Sequence, residues 1–370
     1  MTARLRGSTI RAASRQTITQ TITPTIKQVA LEAGVSVATV SHVLNETRYV
    51  SPELTERVRA AATSLGYTPN RTARSLRIRR THTIGLIVPD VNGFFAQLAR
   101  VIENEGFAAG YTTIFGNSDG HPERERAYLE TLISQQVDGL ILASTLHDAG
   151  SLEEIIRSSG TPVVVVDREL DVPGVDMVLA DNVGGGHAAA SHLVGLGHRR
   201  VGCLTGSHDG RLPDAGRLAG YRRALEEAGI DVEARWVASG DYDYLGGRQA
   251  LAGLLEADPE LTAVFAMNDQ MAFGALAELA ARGIRVPAEF SVCGFDDVFP
   301  AEIVSPPLTT VRQPLGELGS AAVELLRARI QGDAPDEPVR RQFPTTLVVR
   351  ESTARRRGSP VSTAPKEEVA

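Results

Sequence analysis

The sequence predicts a small all-α helix-turn-helix domain followed by an α/β body of two doubly wound, parallel-sheet subdomains. Three observations carry the prediction. Residues 25–66 set three short helix signals around tight glycine stops. From Thr83 onward, short apolar runs alternate with helical stretches in a rhythm that occurs twice. Charge divides the chain at the same place: residues 1–80 hold 13 Lys+Arg against 4 Asp+Glu, while the remaining 290 hold 25 against 41, giving the net −7 of the whole. A basic head on an acidic body points to nucleic acid as a partner of the head alone. With 370 residues, 42% of them hydrophobic, the chain exceeds one average domain and has ample material for a core.

Residues 1–23 are rich in Thr, Arg and Ser and read as a disordered extension; Arg4, Arg6, Arg11 and Arg15 fit either a loose phosphate-touching arm or a start that takes no part. They hold no apolar run of signal-peptide length, and nothing in the chain approaches a membrane span, so a cytoplasmic protein with no membrane partner is expected. The domain over 24–68 begins with Thr25 and Gln28 at capping-box spacing. Gly34 stops this first helix, because a left-handed residue there is cheap only for glycine. Ser36 caps a second helix, whose Val40, Val43 and Leu44 face one way and whose Val37, Ala38, Ser41, His42 and Asn45 face the other. Ser51-Pro52-Glu53 starts a third, with Leu54, Val58, Ala61, Ala62 and Leu65 running on to Gly66. Two short helices joined by a glycine turn make a helix-turn-helix, and the outward row of its second helix is what enters the DNA major groove. The same pattern also occurs in α-domains that bind no DNA. Thr39, Arg48 and Tyr49 extend the candidate DNA contacts beside that row.

Residues 69–80, including Asn70-Arg71-Thr72-Ala73-Arg74-Ser75-Leu76, are too short and polar for a helix stable by itself and read as a hinge or a solvated basic linker. In the body, over 81–352, strands are expected at 84–88, 112–115, 139–142 and 163–166, with crossover helices at 94–109, 123–136 and 152–159. The rhythm repeats with strands at 201–204, 236–238, 263–266 and 291–295 and helices at 217–228, 245–255 and 270–282. Ligands of such sheets sit beyond the carboxyl ends of the strands. The polar residues there are Asp90, Asp167 with Arg168, Asn268 with Asp269, and Asp296 with Asp297. Each alone reads as readily as a helix cap or turn residue, Asp269 above all, but their recurrence at one end of successive strands marks a cleft.

Cys203 and Cys293 lie 90 positions apart in apolar, strand-like contexts and read as buried thiols, with neither a disulfide nor a metal site expected. There is no GxxxxGK[ST], HExxH or GxSxG, and Gly184-Gly185-Gly186 has the wrong spacing for a dinucleotide fingerprint. That triplet reads as a close-packed helix start, and no enzyme activity or cofactor is expected. The runner-up to a DNA-binding regulator is a free solute-binding or sensory module, which the basic head opposes. Residues 353–370 read as a disordered tail without a leucine heptad, so dimers are expected and no tetramer bundle.

The order TIKQVALEAGVSVATVSHVLN, VSPELTERVRAAATSLGYTPNRTARSL and RTHTIGLIVPD resembles the amino-terminal half of the lactose-repressor and galactose-repressor family, with the His42 stretch closest to its purine-repressor branch. The likeness runs from about Thr25 to about Ser352, and its body resembles sugar-binding periplasmic proteins. The resemblance implies that the hinge folds on the operator and wedges Leu76 into the minor groove, with Ala73 in the same segment. It also implies that Asp167, Arg217, Asn268 and Asp296 contact an effector between apolar walls of Phe94, Phe95 and Tyr242. Two departures bear on the effector: Gly93 stands where the family often has proline, and the loop after Arg211, Leu212-Pro213-Asp214, does not follow the purine-binding branch that also has an arginine there. The residue chemistry favours a sugar or sugar derivative over a nucleobase. One recognition helix reads only a few base pairs, so a homodimer on a near-palindromic operator is expected. Arg217 and Asp296 lie in different segments and are expected to meet only when the cleft closes.

Overall fold

The computed structural model describes residues 24–45, 48–67, 80–91, 93–143, 149–170, 172–206 and 214–356. The chain divides into two compact units between Arg79 and Arg80.

The first unit holds α1 (Ile26–Ala33), α2 (Val37–Asn45) and α3 (Pro52–Ser64). Gln28 Oε1 accepts from the Thr25 N–H at 2.7 Å and from the Thr25 hydroxyl at 3.0 Å, so the first turn is tied back on itself. Gly34 takes φ 62°, and a Cβ there would stand 2.7 Å from an Arg57 nitrogen that donates to the Ala33 carbonyl at 2.6 Å. The glycine is therefore needed both for the left-handed stop and for the arginine that ties α1 to α3. Ser36 Oγ accepts from the Thr39 N–H at 3.0 Å, and Ser51 caps α3 more loosely at 3.5 Å. Three helices of this length are not stable singly. Together they bury Val29, Ala30, Ala33, Val40, Val43, Val58, Ala61 and Ala62 as one core.

The second unit opens with β1 (Thr83–Val88), α4 (Gly93–Ala108), β2 (Thr112–Asn117), α5 (Pro122–Ser134), β3 (Gly139–Leu142), α6 (Ala149–Ser159), β4 (Val163–Val166) and β5 (Asp176–Ala180). It continues with α7 (Asn182–Gly195), β6 (Val201–Thr205), α8 (Asp214–Glu227), β7 (Val237–Ser239), α9 (Tyr244–Ala257), β8 (Ala263–Ala266), α10 (Asp269–Ala281) and β9 (Ser291–Asp296). It ends with α11 (Pro300–Ile303), β10 (Thr309–Arg312), α12 (Leu315–Gln331), β11 (Arg340–Phe343) and β12 (Thr346–Val348). Two six-stranded sheets result, ordered β11-β5-β4-β3-β1-β2 and β12-β10-β9-β8-β6-β7. Every pairing is parallel except that of β12 with β10, which makes an antiparallel edge. The near-continuous apolar runs of β3 and β4 fit strands covered on both faces.

The eight expected strands form, each within two residues of its expected ends, but the subdomains are not consecutive halves of the chain. After β10 the polypeptide returns to the first subdomain for α12, which packs on α4 and alongside β3 to β5, and for β11, then crosses again to β12. The chain thus passes between the sheets three times. The expected tail also begins too early. Thr353 Oγ1 bonds to the His192 ring at 2.9 Å, the Ala354 N–H donates to Ser291 Oγ at 3.1 Å, and the Arg356 N–H donates to the Leu196 carbonyl at 2.9 Å. Residues 353–356 thereby satisfy buried polar groups of the second subdomain and belong to the body.

The glycine triplet opens α7 as expected. Asp181 caps the helix by accepting from the Gly184 N–H at 2.8 Å, and a Cβ at Gly186 would fall 2.2 Å from the Arg217 carbonyl, so α7 and α8 approach backbone to backbone. Cys203 and Cys293 are buried thiols on β6 and β9, with β8 between them and no disulfide joining them. No described helix is long and apolar enough to cross a membrane.

Candidate DNA-reading face and effector cleft

On α2 the inward set is buried and the outward set is not. Val40 and Val43 lie in the core, whereas Val37 is 41% exposed, Ala38 is exposed, and Thr39, Ser41, His42 and Asn45 are half-buried along one face. Asn45 spends its amide on the Ser41 carbonyl at 2.7 Å and the Ser41 hydroxyl at 3.3 Å, and Thr39 Oγ1 lies 2.9 Å from Ser36 Oγ. Those groups stiffen the helix as well as line its face. Arg48 is exposed and Tyr49 is 85% exposed just beyond α2. An aromatic ring so far out of the core has no packing role to explain it. Ala73 and Leu76 lie outside the described residues.

In the body, a cleft of about 740 Å³ opens between the two sheets at the carboxyl ends of their strands. Nine of the ten expected effector residues line it; Arg211 lies outside the described residues. From the first subdomain come Asp90 after β1, Phe94 and Phe95 in the first turn of α4, and Asp167 and Arg168 after β4. From the second come Arg217 on α8, Tyr242 after β7, Asn268 before α10, and Asp296 at the end of β9. Phe94 and Phe95 meet edge to face with centroids 5.0 Å apart, Phe94 sinking into the core below the cleft. Gly93, where a proline was noted as the family's habit, adopts φ 36°, which a proline ring forbids. A Cβ there would also come within 3.0 Å of Val298.

The second wall is an interlocked network. Arg217, only 3% exposed, donates through Nε to Asn182 Oδ1 at 2.8 Å and through Nη1 to the Met267 carbonyl, and its guanidinium lies 3.9 Å over the Phe295 ring. Its Nη1 also stands 3.7 Å from Asp296 Oδ1. The expectation that Arg217 and Asp296 meet only on closure is therefore wrong: both belong to the second subdomain and already form a buried pair. The residues that face them across the cleft are Asp167, Arg168 and the phenylalanines. Asn268 accepts from the Met271 N–H and donates to the Tyr242 carbonyl, both at 2.9 Å, so it, and not Asp269, is the cap of α10. Asp269 is fully buried, receiving the Val298 N–H at 2.9 Å and the Thr310 hydroxyl at 2.5 Å. It anchors the loop beyond Asp296 from below and does not line the cleft. Asp297 turns away to Arg312 at 2.6 Å and Arg350 at 2.7 Å.

Burial governs the charges. It pushes the Asp296 carboxyl up to about 7, against the pull of Arg217 and a hydrogen bond from Gln313, while Asp167 and Asp90 push the same way as burial. Asp167 is also held above the usual aspartate range by burial, opposed by Arg217 and Arg168, and its Oδ1 receives no hydrogen bond from the protein. Asp167, Asp241, Tyr242 and Asp296 all have positive φ, with Asp296 at 108°. Strained backbone of this kind gathers where a site aims its side chains. Asp119, Asp241, Tyr244 and Gln270 also line the cleft and were not anticipated. Extending the strand-end rule to β2 and β7 reaches Asp119 and Asp241. Gln270 carries no such signal, because it lies inside the first turn of α10 and not at a strand end. Among the described residues no group of His, Cys, Asp and Glu could hold a metal ion.

Residues 25–70 match the profile described as bacterial regulatory proteins, lacI family, and residues 190–353 match a periplasmic binding protein-like domain. Across 89% of this chain and 98% of its own length, the HTH-type transcriptional repressor PurR of Photobacterium profundum is 37% identical. The chain belongs to the lacI family. It is thus a DNA-binding transcriptional regulator whose body has a binding-protein fold. Among solved structures, the lac repressor dimer bound to operator and the anti-inducer ONPF superposes with a TM-score of 0.81 at 29% identity, over 90% of this chain and 99% of the other. The complex of the transcriptional regulator CelR with cellobiose does so at 0.69 and 36% identity, over 89% and 99%.

Proposed function

We propose that this lacI-family regulator is a repressor that grips a near-palindromic operator as a homodimer and changes its grip when a sugar or sugar derivative fills the body's cleft. The cleft carries the reading: Asp167 and Arg168 from one subdomain and Asp296 and Arg217 from the other converge beside aromatic walls in a space large enough for one or two sugar rings. Carboxylates accept sugar hydroxyls, a guanidinium fork donates to sugar oxygens, and ring faces of Phe95 and Tyr242 suit the apolar side of a pyranose. The cellobiose held by CelR agrees with that chemistry. Dimerisation follows from reading DNA with one short helix per chain, as in the lac repressor dimer on its operator. The chain acts in the cytoplasm, by binding and not by catalysis.

The switch then lies between the walls. A ligand bridging Asp167 and Arg168 on one side and Arg217 and Asp296 on the other makes contacts in the closed cleft that the open one lacks, and only such a difference shifts the equilibrium. The hinge over 69–80, which folds on DNA with Leu76 as a minor-groove wedge, couples that shift to operator affinity by roughly 1–3 kcal/mol. A thermal-shift screen of sugars and nucleobases, followed by gel shifts on genomic fragments with each hit, tests this. A stabilising sugar that alters a specific shifted band is the expected result. Hits confined to nucleobases overturn the effector class, and no specific fragment at all overturns the regulator's mode of action.

A further inference from the structure

We propose that Gln313 is a positioning residue of the cleft, which sets the orientation and charge of Asp296 without reaching the ligand itself. The inference rests on the cleft being the effector site. Gln313 is 2% exposed and lies between the last residue of β10 and the first of α12, where the chain crosses back to the first subdomain. Its Nε2 donates to Asp296 Oδ1 at 2.8 Å. It does not line the effector cleft. It lines a second cavity of about 480 Å³, together with Gln97, Arg312, Glu317 and Phe343, and Asp296 lines both cavities. Asp296 is therefore common to the two, lining the ligand space while its carboxyl accepts the amide of a residue that lines only the other.

Two features fix the amide's direction. Its Oε1 is buried and receives no hydrogen bond, so no partner there competes for the orientation. Flipping the amide would place that oxygen against the carboxylate, replacing an attraction with a repulsion. Arg312 pairs in register with Asp296 across β10 and β9 and donates to Asp297, which holds the preceding residue of the crossing segment in place. The groups facing Asp296 are Arg217 from α8, which favours its charge, and Asp167, Asp90 and Asp269 from the ends of β4, β1 and the start of α10, which oppose it along with burial. Gln313 and Arg217 are its two supports. Without the Gln313 N–H the carboxyl holds its proton to higher pH and loses its fixed orientation, so fewer molecules at neutral pH present an anion to a ligand hydroxyl.

The test uses the full ligand-free chain labelled with ¹³C at the aspartate carboxyls, with the Asp296 signal identified by its loss in Asp296→Asn. In wild type it is expected to titrate near neutral pH. In Gln313→Leu the midpoint should rise by about half a unit, roughly a threefold change in the proton equilibrium, while Asp258, held by Trp236 and Arg200 far from the cleft, stays put. Gln313→Met serves if the leucine variant does not fold. An unmoved midpoint, a wild-type signal in the ordinary aspartate range, or failure of both variants to fold overturns the proposal, the last by making Gln313 purely structural. Because no ligand enters the measurement, a failed effector screen leaves this result standing, and a failed titration leaves the screen standing.

Discussion

In the helical unit, Val37, Ala38 and Tyr49 point away from a core that closes without them, whereas in the cleft Arg217 is at once a wall of the site, a hydrogen-bond partner of Asn182 and Met267, and the cover of the Phe295 ring. The difference follows from what each surface must bind. A DNA groove is met from outside, so its reader must be exposed and already set by the helix axis. A small ligand is enclosed, so its contacts must be desolvated before it arrives, and buried polar groups have to be satisfied by one another. Base preference should therefore be replaceable at little cost to folding, while residues of the second wall should not be.

The largest effect that sharpens this contrast is expected of Arg217→Ala. Removing one partner of a buried pair costs about 3–5 kcal/mol, so the body's urea midpoint should drop steeply and any ligand response should vanish with it. An unchanged midpoint would show that Arg217 is a contact residue only. Gly186→Ala, which touches no ligand, should cost about 1–3 kcal/mol because its Cβ meets the Arg217 backbone. The reading is that α8 shifts and takes the guanidinium with it; an alanine variant of wild-type stability would break it. On the other surface, His42→Ala should leave thermal stability within about 0.5 kcal/mol. It should nevertheless lose about 1–3 kcal/mol on the true operator and little on random DNA. Equal losses on both DNAs would reduce His42 to a phosphate contact. Leu76→Ser should keep the dimer and the body's thermal midpoint while reducing the operator bend in a circular-permutation gel, and an unchanged bend with tight binding removes the wedge.

The smallest effect is one of pH. Asp296 holds its proton more tightly in the folded body than in the unfolded chain, so it binds more proton in the folded state between about pH 4 and pH 7, and Asp167 is shifted in the same direction. Their contribution to stability is full below the unfolded value and is lost as pH rises through the folded one. Urea midpoints measured across that window should show a downward slope with pH that flattens in Asp296→Asn. A slope identical in the variant would place the titration elsewhere.

Local chemistry explains why so much was legible. The caps at Thr25 and Ser36, the stop at Gly34 and the apolar spacing of Val40 and Val43 act within a few residues, so the sequence by itself determined the helical unit and its outward row. The strand-end rule likewise located Asp90, Asp167, Asn268 and Asp296, since parallel strands put all their carboxyl ends on one edge. Tertiary structure alone decided which sheet each segment joins. β10, β11 and β12 are short; β11, Arg340–Phe343, is a polar edge strand without the apolar run that marks a buried strand, and the three residues of β12 are too few to show one; the return of α12 and β11 to the first subdomain depends on shapes made some 200 residues earlier. It also decided that Arg217 and Asp296 share a wall, that Asn268 caps α10 in place of Asp269, and that Gln313 donates to the Asp296 carboxyl. Those relations come from helix packing and sheet register, which bring together side chains with no fixed separation along the chain.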